Sequence, residues 1–403
     1  MRPWLAVVGI GEDGIPGLAP AARALVETAE VLVGGSRHLH MVPEGRAERI
    51  TWERPLGRTI EVIKARRGQR VTVLATGDPL WYGIGVTLIR RFPREEMTIV
   101  PQTSVFSLAA ARLGWPLADC TMITLHGRPL DTVRLHLAPN RHLLILSEDG
   151  GTPRAVAQLL TGLGWGPSRL TVLAHLCGKR EVIDLQEAQR WGDRWVADLN
   201  TIAIACLAGP GACALPLLAG LPDEVFEHDG QLTKREARAA TLAALAPLPA
   251  ETLWDIGAGC GSIAIEWLRA GEGRSAIAIE RSPARAAMIA RNAASLGVPA
   301  LRVVTGAAPE ALDGLPPPDA IFVGGGIGGA GLLPRVWAAL RSGGGRLVAN
   351  VVTAEGEARL LDWHANYGGA LTRIAVSRAE PVGPHHIWRP LATVTQLATI
   401  KPG

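Results

Sequence analysis

Residues 253–266, Leu-Trp-Asp-Ile-Gly-Ala-Gly-Cys-Gly-Ser-Ile-Ala-Ile-Glu, decide how this chain is read. Leu253 to Ile256 reads as the end of a buried strand. Gly257, Gly259 and Gly261 form a turn without Cβ atoms, and Ile263 to Leu268 opens an amphipathic helix. Such a turn lets a ligand approach bare backbone. The spacing is G-x-G-x-G after an aspartate, whereas the dinucleotide fingerprint is G-x-G-x-x-G; the later glycine position is Ala264 here. A second apolar strand, Ser275 to Ile279, ends in Glu280, at the tip of the neighbouring strand, where a carboxylate accepts hydrogen bonds from ribose hydroxyls. A ribose-bearing ligand without a diphosphate fits this arrangement best, and S-adenosylmethionine is the commonest of that kind. Without Glu280 and the helix behind them, the glycines alone would read as a plain strand-to-helix turn.

At 403 residues the chain is long for one core, and about two to three domains is the expectation. With 48% hydrophobic, 19% charged and 4% aromatic residues it belongs with Ala/Leu/Val/Gly-rich α/β proteins and has no disorder signature. The net charge of +4 suits an anionic small substrate, and no run of Lys and Arg marks a nucleic-acid track. The five cysteines include no C-x-x-C pair, so neither a zinc site nor a disulfide framework is expected, and a reducing cytoplasm is the expected compartment. Trp4 to Val8 follows the first residues directly, which argues against a signal peptide. Residues 199–222 carry enough apolar length to span a bilayer, but Pro210, Pro216 and three glycines would break such a helix, so no membrane segment is expected. Thr201 to Cys206 reads instead as a buried strand followed by a linker.

The domain boundary falls in that proline-punctuated stretch: a first domain over 1–208, a linker over 209–222 and a second domain over 223–403. In the first domain, strands at Leu5–Val8, Val31–Val33, Val71–Ala75 and Thr98–Val100 alternate with helices near 19–29, 58–67 and 104–113, which implies a parallel sheet. A further strand set at Met122–Leu125, His142–Leu146, Leu170–Ala174 and Thr201–Cys206 predicts a second lobe. The second domain alternates helix and strand from Thr233 through Arg346–Asn350. Its last third, Ile374–Ser377 and Ala392–Leu397 around a loop, predicts a terminal hairpin.

Both halves resemble known families. Phe226, Leu232-Thr-Lys-Arg-Glu236, Asp255-Ile-Gly-Ala-Gly-Cys-Gly261, Ala278-Ile-Glu280, Gly306-Ala-Ala-Pro-Glu-Ala-Leu312, Phe322-Val-Gly-Gly-Gly326 and Leu347-Val-Ala-Asn350 resemble the successive motifs of the decarboxylating cobalt-precorrin methyltransferase domain of corrin biosynthesis. Val7-Val-Gly-Ile-Gly11, Val33-Gly-Gly35, Ala75-Thr-Gly-Asp-Pro-Leu-Trp-Tyr-Gly-Ile-Gly85, Leu108 to Pro116 and Leu125-His-Gly-Arg128 resemble the tetrapyrrole methylases. Together they cover nearly the whole chain, in the order of the fused precorrin C5,15-methyltransferases.

The resemblance implies an α/β protein: a two-lobed tetrapyrrole methylase fold, then a Rossmann-like methyltransferase domain. It implies one S-adenosylmethionine site in each. In the second domain the implied contacts are Thr233, Gly257, Ala258, Gly259, Cys260, Gly261, Glu280 and Ala308; the usual Gly-Asp-Ala-Pro has Ala307 in place of the aspartate. In the first they are Gly77, Asp78, Pro79, Thr103 and Ser104, with Pro101-Gln-Thr-Ser104-Val105 where the family has Pro-Gly-x-Ser-Ser. The Gly9-Ile-Gly11 loop, which looks like a phosphate cradle, faces the tetrapyrrole cleft in this family. The acceptor is a small-molecule tetrapyrrole, and the family forms homo-oligomers, often tetramers, through the second domain.

No residue is singled out for the chemical step. His126, Arg128, Lys234, His385 and His386 are candidates for substrate carboxylates, His385 and His386 as neighbours in a Gly-Pro loop opposite the substrate cleft. Each has a blander reading: a hydrogen-bonded histidine at a strand end or a solvated surface charge. Gly77-Asp78-Pro79 alone would be an ordinary turn, lifted only by its place after an apolar strand. No metal-ligand spacing is present. The rival function is a nucleic-acid methyltransferase with the same cofactor turn. That class carries an Asn/Asp-Pro-Pro-aromatic motif after the fourth strand, where this chain has Asp319-Ala-Ile-Phe-Val-Gly-Gly-Gly326.

Overall fold

The computed structural model describes residues 3–329 and 331–403. The chain divides into two compact units, Met1–Leu130 with Ala138–Cys213, and Ala214–Gly403 with Asp131–Leu137.

The first unit holds two sheets. β1 (Leu5–Ile10), β2 (Val31–Gly34), β3 (Glu48–Thr51), β4 (Val71–Thr76) and β5 (Met97–Val100) form a sheet in the order β3-β2-β4-β1-β5. Every pairing in it is parallel. β1 and β2 are buried along their whole length, as strands covered on both faces must be. One face packs on Val26, Leu39 and Leu18, the other on Ile60, Ile63, Leu88 and Phe92. The second lobe comprises β6 (Cys120–Thr124), β7 (His142–Leu146), β8 (Arg169–Ala174), β9 (Val182–Glu187) and β10 (Asn200–Ala205), ordered β6-β7-β10-β8-β9. Only β6 and β7 run parallel; β10 is antiparallel to both β7 and β8, and β9 to β8. The buried strand expected at Thr201 is therefore β10. No helix among the described residues is long and apolar enough to cross a membrane.

The second unit is built on β11 (Thr252–Ile256), β12 (Ser275–Glu280), β13 (Arg302–Thr305), β14 (Ala320–Val323), β15 (Arg346–Val351), β16 (Ala370–Ile374) and β19 (Val394–Ile400). Their order is β13-β12-β11-β14-β15-β19-β16. The sheet is parallel from β13 to β15, and β19 then runs antiparallel between β15 and β16. Cores lie on both faces, around Trp267, Ile263 and Leu242 on one and Val336, Leu360 and Trp363 on the other. β11 to β13 extend one way and β14 the other, so a topological switch point lies between β11 and β14, the place where open α/β sheets bind ligands.

A terminal hairpin forms from β16 and β19, but its first strand is Ala370–Ile374 rather than the expected Ile374–Ser377. The segment read as a loop between them is itself a two-stranded antiparallel sheet, β17 (Ser377–Val382) with β18 (His385–Pro390). Its residues are almost all exposed, so it lacks the apolar alternation by which half-buried strands are recognised.

Candidate functional site

In the second unit the switch point is a cavity of about 880 Å³, within the range of small-molecule sites. Its floor is the glycine turn. Gly257, Gly259 and Gly261 all have left-handed φ angles of 68°, 61° and 81°, a conformation costly for residues with a side chain. A Cβ on Gly257 would stand 2.8 Å from the Gly325 backbone at the end of β14, so the two loops meet with no room for a methyl group. The Gly257 and Ala258 amides donate to the Ile279 carbonyl, which ties the turn to β12.

Glu280 closes the turn from the side. Its Oε2 accepts the Gly259 amide at 2.9 Å and its Oε1 the Ser282 amide at 3.0 Å, which fixes the buried carboxylate and leaves each oxygen lone pairs for ligand hydroxyls. Asp255 lies fully buried beneath: Oδ2 accepts the Ala264 amide at 3.0 Å, and Oδ1 has no partner among the described residues. Burial pushes its carboxyl up to about 7, against the pull of the Ala264 amide and with the charge of Glu280 adding to the rise. Bare backbone, a fixed carboxylate and apolar walls fit an adenosyl group; Thr233, Ala258, Cys260 and Ala308 line the same cavity.

Lys234, at the start of the helix Arg235–Leu245, also lines it. The far wall is apolar, with Ile374, Val376, Leu391 and Val394, and carries one amide, Asn350. Asn350 donates to Thr241 Oγ1 at 2.7 Å and accepts from Gln396 at 2.9 Å, so its head group is held rigidly. Asn350, Arg285 and the Gly324–Gly329 run were not singled out from the sequence as site residues. The glycine run after a buried strand was the available signal, since it repeats the logic of the Gly257 turn.

His385 and His386 lie not in a loop but exposed on β18, which pairs with β17, and neither lines this cavity.

In the first unit the structure brings the Gly77-Asp78-Pro79 turn against Thr103 and Ser104. Gly77 has φ 56°, and a Cβ there would lie 3.3 Å from the Thr103 carbonyl oxygen. A Cβ on Gly9 would collide with the Gly77 carbonyl oxygen at 1.9 Å, so β1 and β4 end in one tight cluster of backbone. Asp78 Oδ1 accepts the Leu80 amide at 2.8 Å, an Asx turn, and Ser104 caps the helix Val105–Leu113 by accepting the Ser107 amide. His126 and Arg128 are exposed in the loop after β6, with His126 Nδ1 3.2 Å from Glu148. A cluster invisible in the sequence also lies in this unit: Glu12, Arg37, His38, Thr76 and His175 meet through side-chain hydrogen bonds.

Residues 5–184 match the family model described as tetrapyrrole (corrin/porphyrin) methylases, and 224–401 the one described as a precorrin methyltransferase domain. A decarboxylating precorrin-6Y C(5,15)-methyltransferase of a Sinorhizobium species is 52% identical, covering 100% of this chain and 97% of that protein. One from Mycobacterium tuberculosis is 40% identical over 98% of this chain and 100% of its own length. A cobalt-precorrin-7 C(5)-methyltransferase of Salmonella typhimurium is 34% identical over 44% of this chain and 88% of its own. The nucleic-acid reading has no support among these matches. Two domain families in this order, and relatives matched along almost their full lengths, place the chain in the family of decarboxylating precorrin-6Y C(5,15)-methyltransferases, enzymes that use S-adenosylmethionine.

Proposed function

We propose that this chain methylates a precorrin macrocycle at carbons 5 and 15 and removes the carboxyl group of the acetate on ring C, with one S-adenosylmethionine site in each domain. The observation that carries the reading is the glycine turn at the switch point, backed by the fixed carboxylate of Glu280, in a chain whose relatives bear this activity in their names.

S-adenosylmethionine supplies an activated methyl group when bound. The protein's part is alignment and exclusion of water. In the second domain, Gly257 to Gly261, Glu280, Thr233 and Ala308 hold the donor, while the apolar wall from Ile374 to Val394 gives the macrocycle a dry face and Asn350 a fixed polar contact. Methylation at carbon 15 leaves the ring iminium-like, an electron sink into which the acetate loses carbon dioxide; an apolar wall favours that loss by withdrawing water from the carboxylate. Lys234 is suited to receive a second substrate carboxylate at the rim. In the first domain, Gly77 to Pro79 with Thr103 and Ser104 hold the other donor, and carbon 5 is methylated there; His126 and Arg128 are exposed contacts for further carboxylates. Residues 209–222 carry the chain from the first domain to the second, and Leu221 near their end packs into the second domain's core. The net charge of +4 suits an acid-fringed substrate. The protein assembles as a homo-oligomer through the second domain, where Trp388, 75% exposed on the β17–β18 hairpin, offers an apolar contact.

Incubation with the precorrin substrate and methyl-labelled S-adenosylmethionine, followed by mass analysis, tests this. The expected product has gained two labelled methyl groups and lost one carbon dioxide. A product with no labelled methyl refutes the reading.

A further inference from the structure

The cluster around Glu12 lies where the two lobes of the first unit meet. Glu12, in the loop after β1, accepts from Arg37 through Oε1 and faces His175 Nδ1 through Oε2 at 2.9 Å. Arg37 reaches on to Thr76 Oγ1 at 3.0 Å and to His38 Nε2 at 2.9 Å, so its planar group is held on three sides. Burial would raise the Glu12 carboxyl, but hydrogen bonds from His175 and the charge of Arg37 outweigh it and keep Glu12 ionised. Burial and Arg37 together push His38 down to about 4, so it is neutral and accepts from Arg37.

An anionic Glu12 fixes the proton of His175 on Nδ1. Nε2 is then the basic nitrogen, and no group among the described residues bonds to it. The His175 side chain is 12% exposed, so the ring is sheltered without being sealed. The loop that carries it is strained. His175 and Cys177 have φ of 50° and 63°, rare for residues with a side chain, and a Cβ on Gly178 would press on Glu12 Cβ at 2.9 Å. The loop is held in that shape from behind: Glu181 accepts the Cys177 amide and pairs with Arg112. A carboxylate that orients an imidazole whose second nitrogen is left free to exchange a proton is the arrangement used to move protons in enzymes.

We propose that His175, oriented by Glu12, is the base that takes the proton from the methine carbon methylated in the first domain. The inference rests on the function proposed above. A methine carbon bears one hydrogen. Its π electron pair forms the new C–C bond to the methyl group as the methyl–sulfur bond breaks with its pair left on sulfur. The C–H bond of the same carbon then breaks, its pair re-forms the ring double bond, and the proton passes to His175 Nε2 and on to water. Glu12 is a positioning residue, and Arg37 neutralises its charge.

The test uses the full-length chain with His175→Ala, His175→Gln and Glu12→Gln. In both His175 variants, methylation at carbon 5 falls about 100-fold or more in kcat, with KM for the macrocycle little changed, while carbon 15 methylation and loss of carbon dioxide continue. Free imidazole restores carbon 5 methylation in His175→Ala, which a merely structural loss would not permit. Glu12→Gln lowers the same rate, and imidazole does not restore it. Nitrogen NMR of the wild-type protein at neutral pH shows His175 protonated on Nδ1, a readout independent of turnover. A wild-type carbon 5 rate in His175→Ala, or a wild-type His175 protonated on Nε2 alone, overturns the assignment. A wild-type product that lacks only the carbon 5 methyl overturns the role given to the first domain, and this inference with it.

Discussion

Asp255 carries a carboxyl that its surroundings would rather keep protonated. Its folded value of about 7, against 3.8 for the free side chain, means that between roughly pH 4 and pH 7 the native state holds a proton the unfolded chain has released. Stability of the ligand-free protein therefore falls as pH rises through that window, at most by about 1.4 kcal/mol per pH unit from this one group. Asp255→Asn keeps an oxygen for the Ala264 amide and cannot ionise. Urea unfolding from pH 4 to pH 8 is expected to show a shallower decline in the variant, with the two proteins closest at pH 4; parallel curves would refute the assignment. At this scale the sequence was informative wherever backbone conformation dictates residue type. The Gly257 turn could be read because left-handed φ angles and the contact with Gly325 admit only glycine, and Glu280 because it ends a strand beside that turn. The loop expected around His385 and His386 is a strand instead, because exposed strand residues carry no apolar alternation. Glu12, Arg37 and His175 went unseen because their partnership spans 163 residues between Glu12 and His175 and exists only once the lobes close.

Among elements, the β17–β18 hairpin depends on few anchors. Arg378 at its base reaches Asp223 at 2.9 Å and Glu236 at 2.7 Å, tying the exposed hairpin to the segment before the helix Arg235–Leu245 and to that helix's first turn. Behind it Arg238, fully buried, bonds Glu266 at 2.6 Å and also reaches Asp223, so Asp223 keeps one partner if Arg378 is lost. Arg378→Ala is accordingly expected to reduce global stability by only about 1 kcal/mol, because the side chain is partly open to solvent, yet to raise amide hydrogen exchange across 377–390 selectively. Unchanged exchange in the hairpin would show that other contacts hold it. The strands missed from sequence share the hairpin's character. β3 and β9 are exposed at most positions, so neither offers the apolar run or alternation that revealed β1, β4 and β11. The parallel order expected for the first sheet holds throughout it, whereas the second lobe is mostly antiparallel, a difference its strand-forming residues do not encode.

For the molecule as a whole, two unlike glycine turns in one chain predict a stoichiometry. Calorimetric titration with S-adenosylmethionine is expected to give two sites per chain. Gly257→Ala, whose Cβ would meet Gly325 at 2.8 Å, should leave one; Gly77→Val, at a left-handed position 3.3 Å from the Thr103 carbonyl, should leave the other. A single site in the wild-type chain, abolished by one of these changes alone, would reduce the other domain to a scaffold. The seven-stranded sheet has a consequence in time. β19 lies between β15 and β16 although it follows both in the chain, and β16 has no other strand partner among the described residues. A nascent chain made up to β16 can complete its N-terminal unit yet must carry β15 as a bare edge, with Asn350 still lacking Gln396, until β19 leaves the ribosome. During that interval the half-built sheet invites pairing with a neighbouring copy on the same messenger, so slow emergence of β19 should favour aggregates over active enzyme.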